Sequence, residues 1–379
     1  MKKALIILFA IIISLFGIQA KQYPHQYGYD KLRKEAMKGD AMCQYWMGKT
    51  FEEGRLSQTP DLSEAFVWYL KAARGGHGTA QEKVYTMYNA GRGVAQNDAE
   101  FIHWLRECAN NPSNVYGDEA FVAKVNLAKF MCSGAHGVKK DIDAAISMLE
   151  NVYGLSRTEI NAIRYRTLGQ LYKEKADKTF APEYYKKAAE YYNREAKEWG
   201  EIPMANHDVK KLQDGMSQAY MSAANMWLMH ETFSDTPDDY TNMLNAVKAA
   251  AQKGHSGGMY FLGEIYLNGE FGVEKDVKEA WHWLGKVYNL KPQASYIMAD
   301  YCYGIRAYKD AYLYYTHLIG MKGVANEVLG EAYRKLAAMY RFGRGVEKDE
   351  TKADEYTAKA SRLGDPDAAK IQQWLNQKF

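Results

Sequence analysis

The chain has 379 residues, with 49 basic and 46 acidic side chains and a formal net charge of +3. Its basic residues form no block longer than two or three, so neither a nucleic acid nor an anionic membrane surface is an expected partner. The length allows two ordinary domains or one elongated one, and the low count of eight prolines favours a mostly helical chain.

The first twenty residues have the pattern of a secretory signal peptide. Lys2 and Lys3 precede an apolar run from Ala4 to Gly17, and Ala20 is a small residue suited to cleavage. We expect an exported protein, periplasmic or secreted, with 47 basic against 46 acidic residues after cleavage. An uncleaved membrane anchor is the alternative, but the apolar run is shorter than the ~20 residues that span a bilayer. No membrane insertion is expected after cleavage.

The chain contains four cysteines, which export would place where disulfides are allowed: Cys43, Cys108, Cys132 and Cys302. They form no CxxC pair, and no histidines stand at metal-ligand spacing, so we expect neither a metal nor a cofactor. We expect all four side chains to act as small buried hydrophobes. If a disulfide forms, Cys108 with Cys132 is the pair best placed for it.

Three segments of the chain repeat one pattern. Residues 84–104, 262–283 and 336–356 each run through an apolar residue, a tyrosine, a Gly-Val pair and an aspartate before a second apolar stripe. The letters VEKD begin at Val273 and again at Val346, which is two periods of about 36 residues. A fixed period of this length predicts a solenoid of stacked helix pairs.

The residues of one unit predict a helix, a turn and a second helix. Leu262 and Tyr266 are four residues apart, so we expect both in the core between the helices, while Gly263 allows a close approach. Gly269 ends the first helix, because glycine takes the left-handed conformation without steric cost. Asp276 caps the second helix. The equivalent caps are expected at Asp61, Asp98 and Asp349.

This pattern resembles the Sel1-like repeat family, a relative of the tetratricopeptide repeats. The shared order is A-x-x-x-L-G-x-x-Y, then G-x-G-V-x-x-D, then A-x-x-W/Y-x-x-x-A. It is strong in units 39–75, 76–111, 255–290 and 324–364 and clear in 117–154, whereas units 157–200, 208–254 and 291–323 lose the Gly-Val turn. The resemblance implies an all-α fold, a right-handed α/α superhelix (solenoid) of about eight Sel1-like helix-turn-helix repeats.

Four regions follow from this division of the chain. They are a signal peptide at 1–20, an N-terminal lead-in or capping segment at 21–38, a repeat solenoid at 39–364 and a C-terminal cap helix at 365–379.

Residues 254–258 read GHSGG, which matches the G-x-S-x-G nucleophile elbow of serine hydrolases. An elbow requires a buried strand before the serine, but the residues before Gly254 have a helical pattern. We therefore interpret Gly254 as the glycine that ends one helix and His255 as the start of the next. No catalytic residue is predicted.

The resemblance to the Sel1-like family implies that the first helix of each unit lines a concave surface that binds a partner. The positions two before and two after that of Leu262 point away from the core. They are Tyr45 and Lys49, Glu82 and Thr86, Val125 and Lys129, Tyr260 and Glu264, Ser295 and Ala299, and Arg334 and Ala338. Our candidates for partner binding among them are Tyr45, Lys49, Tyr260, Glu264 and Arg334.

The resemblance implies a non-catalytic scaffold or adaptor that binds a protein or peptide, and the signal-peptide pattern places it outside the cytoplasm. The alternative is an envelope enzyme or a protein that binds a cell-wall or glycan ligand. A cysteine-rich branch of the family is linked to penicillin hydrolysis and has a disulfide in each repeat, but four cysteines in eight units do not fit that branch. The oligomeric state stays open.

Overall fold

A computed structural model describes residues 28–55, 59–111, 118–152, 158–202, 208–234 and 240–378. The predicted signal peptide lies outside these residues. Within them the chain forms eighteen α-helices and one 3₁₀ turn (Ala135–Gly137), and no β-strand. The expected all-α fold is confirmed.

The helices follow one another as a lead helix, eight pairs and a final helix. The lead helix is α1 (Tyr29–Met37). The pairs are α2 (Ala41–Glu52) with α3 (Leu62–Arg74), α4 (Gly78–Ala90) with α5 (Asp98–Asn110), α6 (Asp118–Ser133) with α7 (Ile142–Glu150), α8 (Thr158–Thr179) with α9 (Pro182–Glu201), α10 (Val209–Phe233) with α11 (Thr241–Gln252), α12 (Ser256–Asn268) with α13 (Val277–Leu284), α14 (Pro292–Gly304) with α15 (Tyr308–Ile319), and α16 (Asn326–Phe342) with α17 (Glu350–Arg362). The final helix is α18 (Pro366–Lys378).

The chain divides into two compact units. The N-terminal unit comprises residues 1–171 and holds α1 to α7 with the larger part of α8. The C-terminal unit comprises residues 172–379 and holds the remaining helices.

One backbone hydrogen bond closes the turn in five of the eight pairs. The residue that caps the second helix donates its N–H to the carbonyl at the Tyr266 position of the first helix, and Asp276 does so at 2.8 Å. The other four donor–acceptor pairs are Asp61 with Phe51, Asn97 with Tyr88, Asp141 with Met131, and Asp349 with Tyr340. This bond fixes the start of the second helix against the end of the first helix in each of these pairs.

The predicted cap at Asp98 is wrong, and Asn97 takes that place. The Asn97 side chain accepts hydrogen bonds from the backbone N–H groups of Ala99 and Glu100, and Asp98 is the first residue of α5. Asparagine and aspartate are both good caps. Asn97 is used because its backbone N–H bonds to the carbonyl of Tyr88 across the turn. The caps at Asp61, Asp276 and Asp349 are confirmed.

Glycine has two separate uses in the repeat. Gly269 ends α12 with φ of +74°, as predicted. Gly263 lets α12 and α13 approach, since a Cβ there would lie 2.6 Å from Cγ of Leu284. Gly345, the second glycine of its turn, lies against the preceding pair, because a Cβ there would be 2.5 Å from the carbonyl carbon of Tyr308.

The core of the repeat differs from the prediction at one position. Leu262 and Ile265 are almost completely buried, with 1% and 0% of their surface exposed, whereas Tyr266 is only half-buried. Positions three apart face the same side of a helix, so the buried stripe is centred on Leu262 and Ile265. Tyr266 lies at its edge.

Candidate interaction surface

The GHSGG segment is a hinge between two helices. It follows α11, and Gly254 has φ of +96°. The Nδ1 atom of His255 accepts a hydrogen bond from the backbone N–H of Gly258 at 3.0 Å, and Ser256 is the first residue of α12. His77 caps α4 in the same way. The interpretation of this motif as a repeat boundary is confirmed.

In the N-terminal unit, the two candidates Tyr45 and Lys49 are half-buried on α2. The Tyr45 ring stacks on that of His77, with centroids 4.6 Å apart and planes 11° from parallel. Lys49 lies over the Trp46 ring at 4.7 Å and pairs with Glu53 at 3.7 Å. Both side chains therefore reach the surface while their positions are held by neighbours.

A buried tyrosine connects this surface to the core. The Tyr69 ring on α3 is 0% exposed, and its hydroxyl donates to Oε2 of Glu52 at 2.6 Å. Lys83 on α4 donates to both carboxylate oxygens of Glu52, at 2.8 and 3.0 Å. Burial opposes ionisation of Glu52, but the hydrogen bonds from Lys83 and Tyr69 lower its pKa. The triad joins two helices of one pair to the first helix of the next.

A similar triad occurs in the C-terminal unit, with an aspartate at a different repeat position in place of the glutamate. Tyr315 on α15 is fully buried and donates to Oδ1 of Asp300 at 3.2 Å, and Lys335 donates to the same oxygen at 3.1 Å. Burial, and next the charge of Asp300, raise the pKa of Tyr315, so its hydroxyl stays protonated. Lys83 and Lys335 occupy equivalent repeat positions, one before the Leu262 position. The sequence pattern predicted neither triad.

The candidates Tyr260 and Glu264 lie on α12 and are half-buried. The Tyr260 hydroxyl donates to Oε1 of Glu264 at 2.6 Å. Burial, and next the hydrogen bond with Glu264, raise the pKa of Tyr260. Burial also raises the pKa of Glu264 against the opposing effect of the tyrosine hydrogen bond. The pair forms a fixed polar feature of this helix.

The candidate Arg334 belongs to a network that ties three elements together. Its Nε donates to Asp365 at 3.0 Å, and its Nη2 donates to Glu331 at 3.2 Å. Glu331 also accepts a hydrogen bond of 2.6 Å from the hydroxyl of Tyr296 on α14. Asp365 in turn caps α18 by accepting from the N–H of Ala368. The guanidinium is thus fixed in direction.

The predicted outward positions Ser295 and Ala299 are wrong, because both side chains are 0% exposed. In this pair Met298 is the buried residue that corresponds to Leu262. The outward positions are therefore Tyr296 and Asp300, one residue further along. This pair lacks the Gly-Val turn that sets the register in the regular units.

Val125 is also wrong as an outward position, because it is buried. Its neighbour in the predicted set, Lys129, is exposed. In the pair before it, Glu82 is half-buried and Thr86 is exposed. We call Tyr45, Lys49, Glu52 and Lys83 the N-terminal surface, and Tyr260, Glu264, Tyr296, Arg334 and Lys335 the C-terminal surface.

A groove opens between α16 and α18, beside Arg334. Its volume is about 530 Å³, and its apolar lining is formed by Ala337, Ala338, Phe342, Ile371 and Trp374. Phe342 is 63% exposed and Trp374 is 50% exposed. The sequence pattern predicted Arg334 and Ala338 on this side, but it indicated only a capping role for α18.

The four cysteines are present as thiols, so the hypothesised bond between Cys108 and Cys132 is not formed. Cys43, Cys108 and Cys302 are buried, whereas Cys132 is partly exposed. Burial is the main cause that raises the pKa of Cys43 and of Cys108 to about 12 each. These thiols are poor nucleophiles.

Two features are absent from the described part of the chain. No three His, Cys, Asp or Glu side chains there are grouped so that they could hold a metal ion. None of the helices in those residues combines the length and the apolar character needed to cross a bilayer.

Comparison with known proteins gives one consistent match. The family model described as Sel1 repeat matches residues 41–77, 122–150, 168–190, 256–290 and 330–365. The crystal structure of a Sel1 repeat protein from Oxalobacter formigenes is similar in fold, with a TM-score of 0.55 and 21% identity over 94% of each chain.

A curated relative is the chitin synthase regulator SKT5 of Saccharomyces cerevisiae. It is 27% identical over 283 residues, which is 70% of this chain and 35% of the yeast protein. The chain therefore spans about a third of the length of this relative.

Proposed function

Because this chain belongs to the Sel1 repeat family, we propose that it is a non-catalytic scaffold that binds a protein or peptide partner on its first helices. The observation that carries the proposal is the fixed, half-exposed character of the side chains on the N-terminal and C-terminal surfaces. Tyr45 is held by ring stacking, and Tyr260 and Arg334 are held by hydrogen bonds. Side chains that are ordered before binding lose little further conformational entropy when a partner arrives. Tyrosine and arginine are also the residues that most often dominate binding energy.

Two observations support a binding role over chemistry. The GHSGG motif is a helix hinge, and its serine begins a helix instead of following a strand. The yeast relative is named as a regulator of an enzyme. A burst of product from an activated ester that disappears in Ser256→Ala would contradict the non-catalytic assignment.

Export is part of the same proposal, with the protein acting in the periplasm or outside a bacterial cell. It is supported by Lys2, Lys3 and the apolar run that follows them. N-terminal sequencing of the protein purified from its source is expected to find a chain that begins at or near Lys21. A chain that retains residues 1–20 and remains in the cytoplasm would contradict export.

The binding role predicts different results for two neighbouring residues on α12. Leu262→Ala is expected to lower the free energy of unfolding by about 2–5 kcal/mol, because it opens a cavity in the core. Tyr260→Ala removes a half-buried ring that packs against the edge of the core, so it is expected to lower that free energy less, by about 1–2 kcal/mol. It is expected to reduce partner capture at least ~10-fold, as the loss of a binding hot spot does. Urea melts and quantitative pull-downs with the mature protein measure the two effects.

Leu313→Ala is the control for this comparison, since Leu313 is an exposed apolar residue on a second helix. It is expected to leave both stability and capture unchanged. If Tyr260→Ala, Glu264→Ala and Arg334→Ala all fold and all retain the partner, the C-terminal surface is not the binding surface. If Tyr260→Ala unfolds the protein, the assignment of Tyr260 to the surface is wrong.

A further inference from the structure

We infer that the groove between α16 and α18 binds a short acidic peptide that carries a large apolar anchor side chain. The inference rests on the proposed partner-binding function and specifies the chemistry of one partner segment. The apolar floor, the charge of the rim and the size of the groove each support it.

The floor of the groove consists of apolar side chains that water still reaches. Phe342 comes from the end of α16, and Ile371 and Trp374 come from successive turns of α18. All three are exposed, Ile371 at 39%. Large apolar side chains that converge in a concave site are typical of a ligand site, because an apolar anchor bound there is removed from water.

The size of the groove fits a peptide segment. A volume of about 530 Å³ lies within the range of roughly 300–1,000 Å³ that is usual for ligand pockets. Contacts bridge part of the space between earlier first helices, as where Tyr45 stacks on His77 and Tyr296 bonds to Glu331. A smaller opening of about 280 Å³ is lined by Glu52 of α2 and Lys83 of α4. Between α16 and α18 the space stays open next to Ala338.

The ionisable side chains that line the groove are mostly basic: Arg334, Lys335, Arg341 and Lys370, against the single acid Asp367. All four cations have carboxylate partners. Arg334 pairs with Asp365 and Glu331, Lys335 with Asp300 and Arg341 with Asp354, and none of these acids is part of the lining. Lys370 pairs with Asp367 at 3.7 Å. These acids hold the cations in place and offset part of their charge. Each cation has more N–H donors than these bonds use, so we expect charge complementarity to select acidic flanks more than it adds affinity.

Fluorescence anisotropy with labelled nonapeptides tests the inference directly. The probes carry one central phenylalanine, flanked on both sides by glutamate, by serine or by lysine. The glutamate peptide is expected to bind the full mature protein at least ~10-fold more tightly than the lysine peptide, with the serine peptide between them. Replacing the central phenylalanine with serine in the glutamate peptide is expected to weaken binding at least ~10-fold.

Two protein variants with the same chemical change locate the site. Ala338→Glu places a carboxylate in the groove and is expected to weaken binding of the glutamate peptide at least ~10-fold. Ala90→Glu adds the same charge at an exposed position of α4 in the other unit and is expected to leave binding unchanged. Urea melts of both variants confirm that they are folded. Trp374→Ala provides a second groove variant, because it removes the half-exposed ring without adding charge.

Four results would overturn the inference: equal binding of the glutamate and lysine peptides, tighter binding of the lysine peptide, no binding of any probe, or full binding by Ala338→Glu and Trp374→Ala. A concentration-dependent dimer that Ala338→Glu abolishes, with no peptide bound, would assign the groove to a second copy of the chain. The proposed function is tested separately, since loss of partner capture in Tyr260→Ala does not depend on the groove.

Discussion

Gly345→Ala is expected to lower the free energy of unfolding by about 2–5 kcal/mol. Gly345 has φ of +75°, a conformation that costs a residue with a side chain roughly 1–2 kcal/mol. Its new Cβ would also lie 2.5 Å from the carbonyl carbon and 2.6 Å from the carbonyl oxygen of Tyr308. These are backbone atoms at the start of α15, so the clash forces a shift between two helix pairs, at a further ~1–3 kcal/mol.

Gly272→Ala is the matched control, because Gly272 holds the same repeat position with φ of +74° and has no atom within 4 Å of the added Cβ. Its expected cost is only the conformational part, about 1–2 kcal/mol. Chemical denaturation of both variants measures the difference. Equal losses for Gly345→Ala and Gly272→Ala would show that the close approach to the preceding pair contributes nothing.

Tyr69→Ala is expected to cost about 3–5 kcal/mol of unfolding free energy, in the range of large aromatic truncations in a core. The ring on α3 is fully buried and lies against Gly48 of α2. An alanine at this position would leave a cavity where the ring was. The loss also removes the hydroxyl that bonds to Glu52, so the N-terminal surface loses one of the two groups that hold its carboxylate.

Tyr69→Phe separates these two contributions. It keeps the ring, and Glu52 keeps both hydrogen bonds from Lys83, so the expected cost is only about 0.5–1.5 kcal/mol. Denaturation curves of Tyr69→Phe, Glu52→Gln and the double variant give the coupling between hydroxyl and carboxylate. A Tyr69→Phe variant as unstable as Tyr69→Ala would show that the hydroxyl, and not the ring, carries the stability.

The sequence by itself determined the features that depend on neighbours along the chain. Gly269 ends its helix in the left-handed conformation, Asp276 caps the next one, and Gly254 with His255 forms a hinge between helices. Each follows from the steric freedom of glycine or from a side chain that reaches an N–H two or three residues away. The all-α fold and the outward placement of Tyr260 follow from the same local periodicity.

Only the tertiary structure decided which of two suitable residues caps a helix and which side chains of different helix pairs come into contact. It selected Asn97 over Asp98 as a cap through a hydrogen bond to Tyr88, and it shifted the predicted register of α14 so that Tyr296 and not Ser295 faces outward. The bond from Lys83 to Glu52 spans 31 residues, and the groove between α16 and α18 depends on the spacing of two separate helices. The period of a single helix fixes neither its rotation against a neighbour nor their distance, because packing between whole helices sets both.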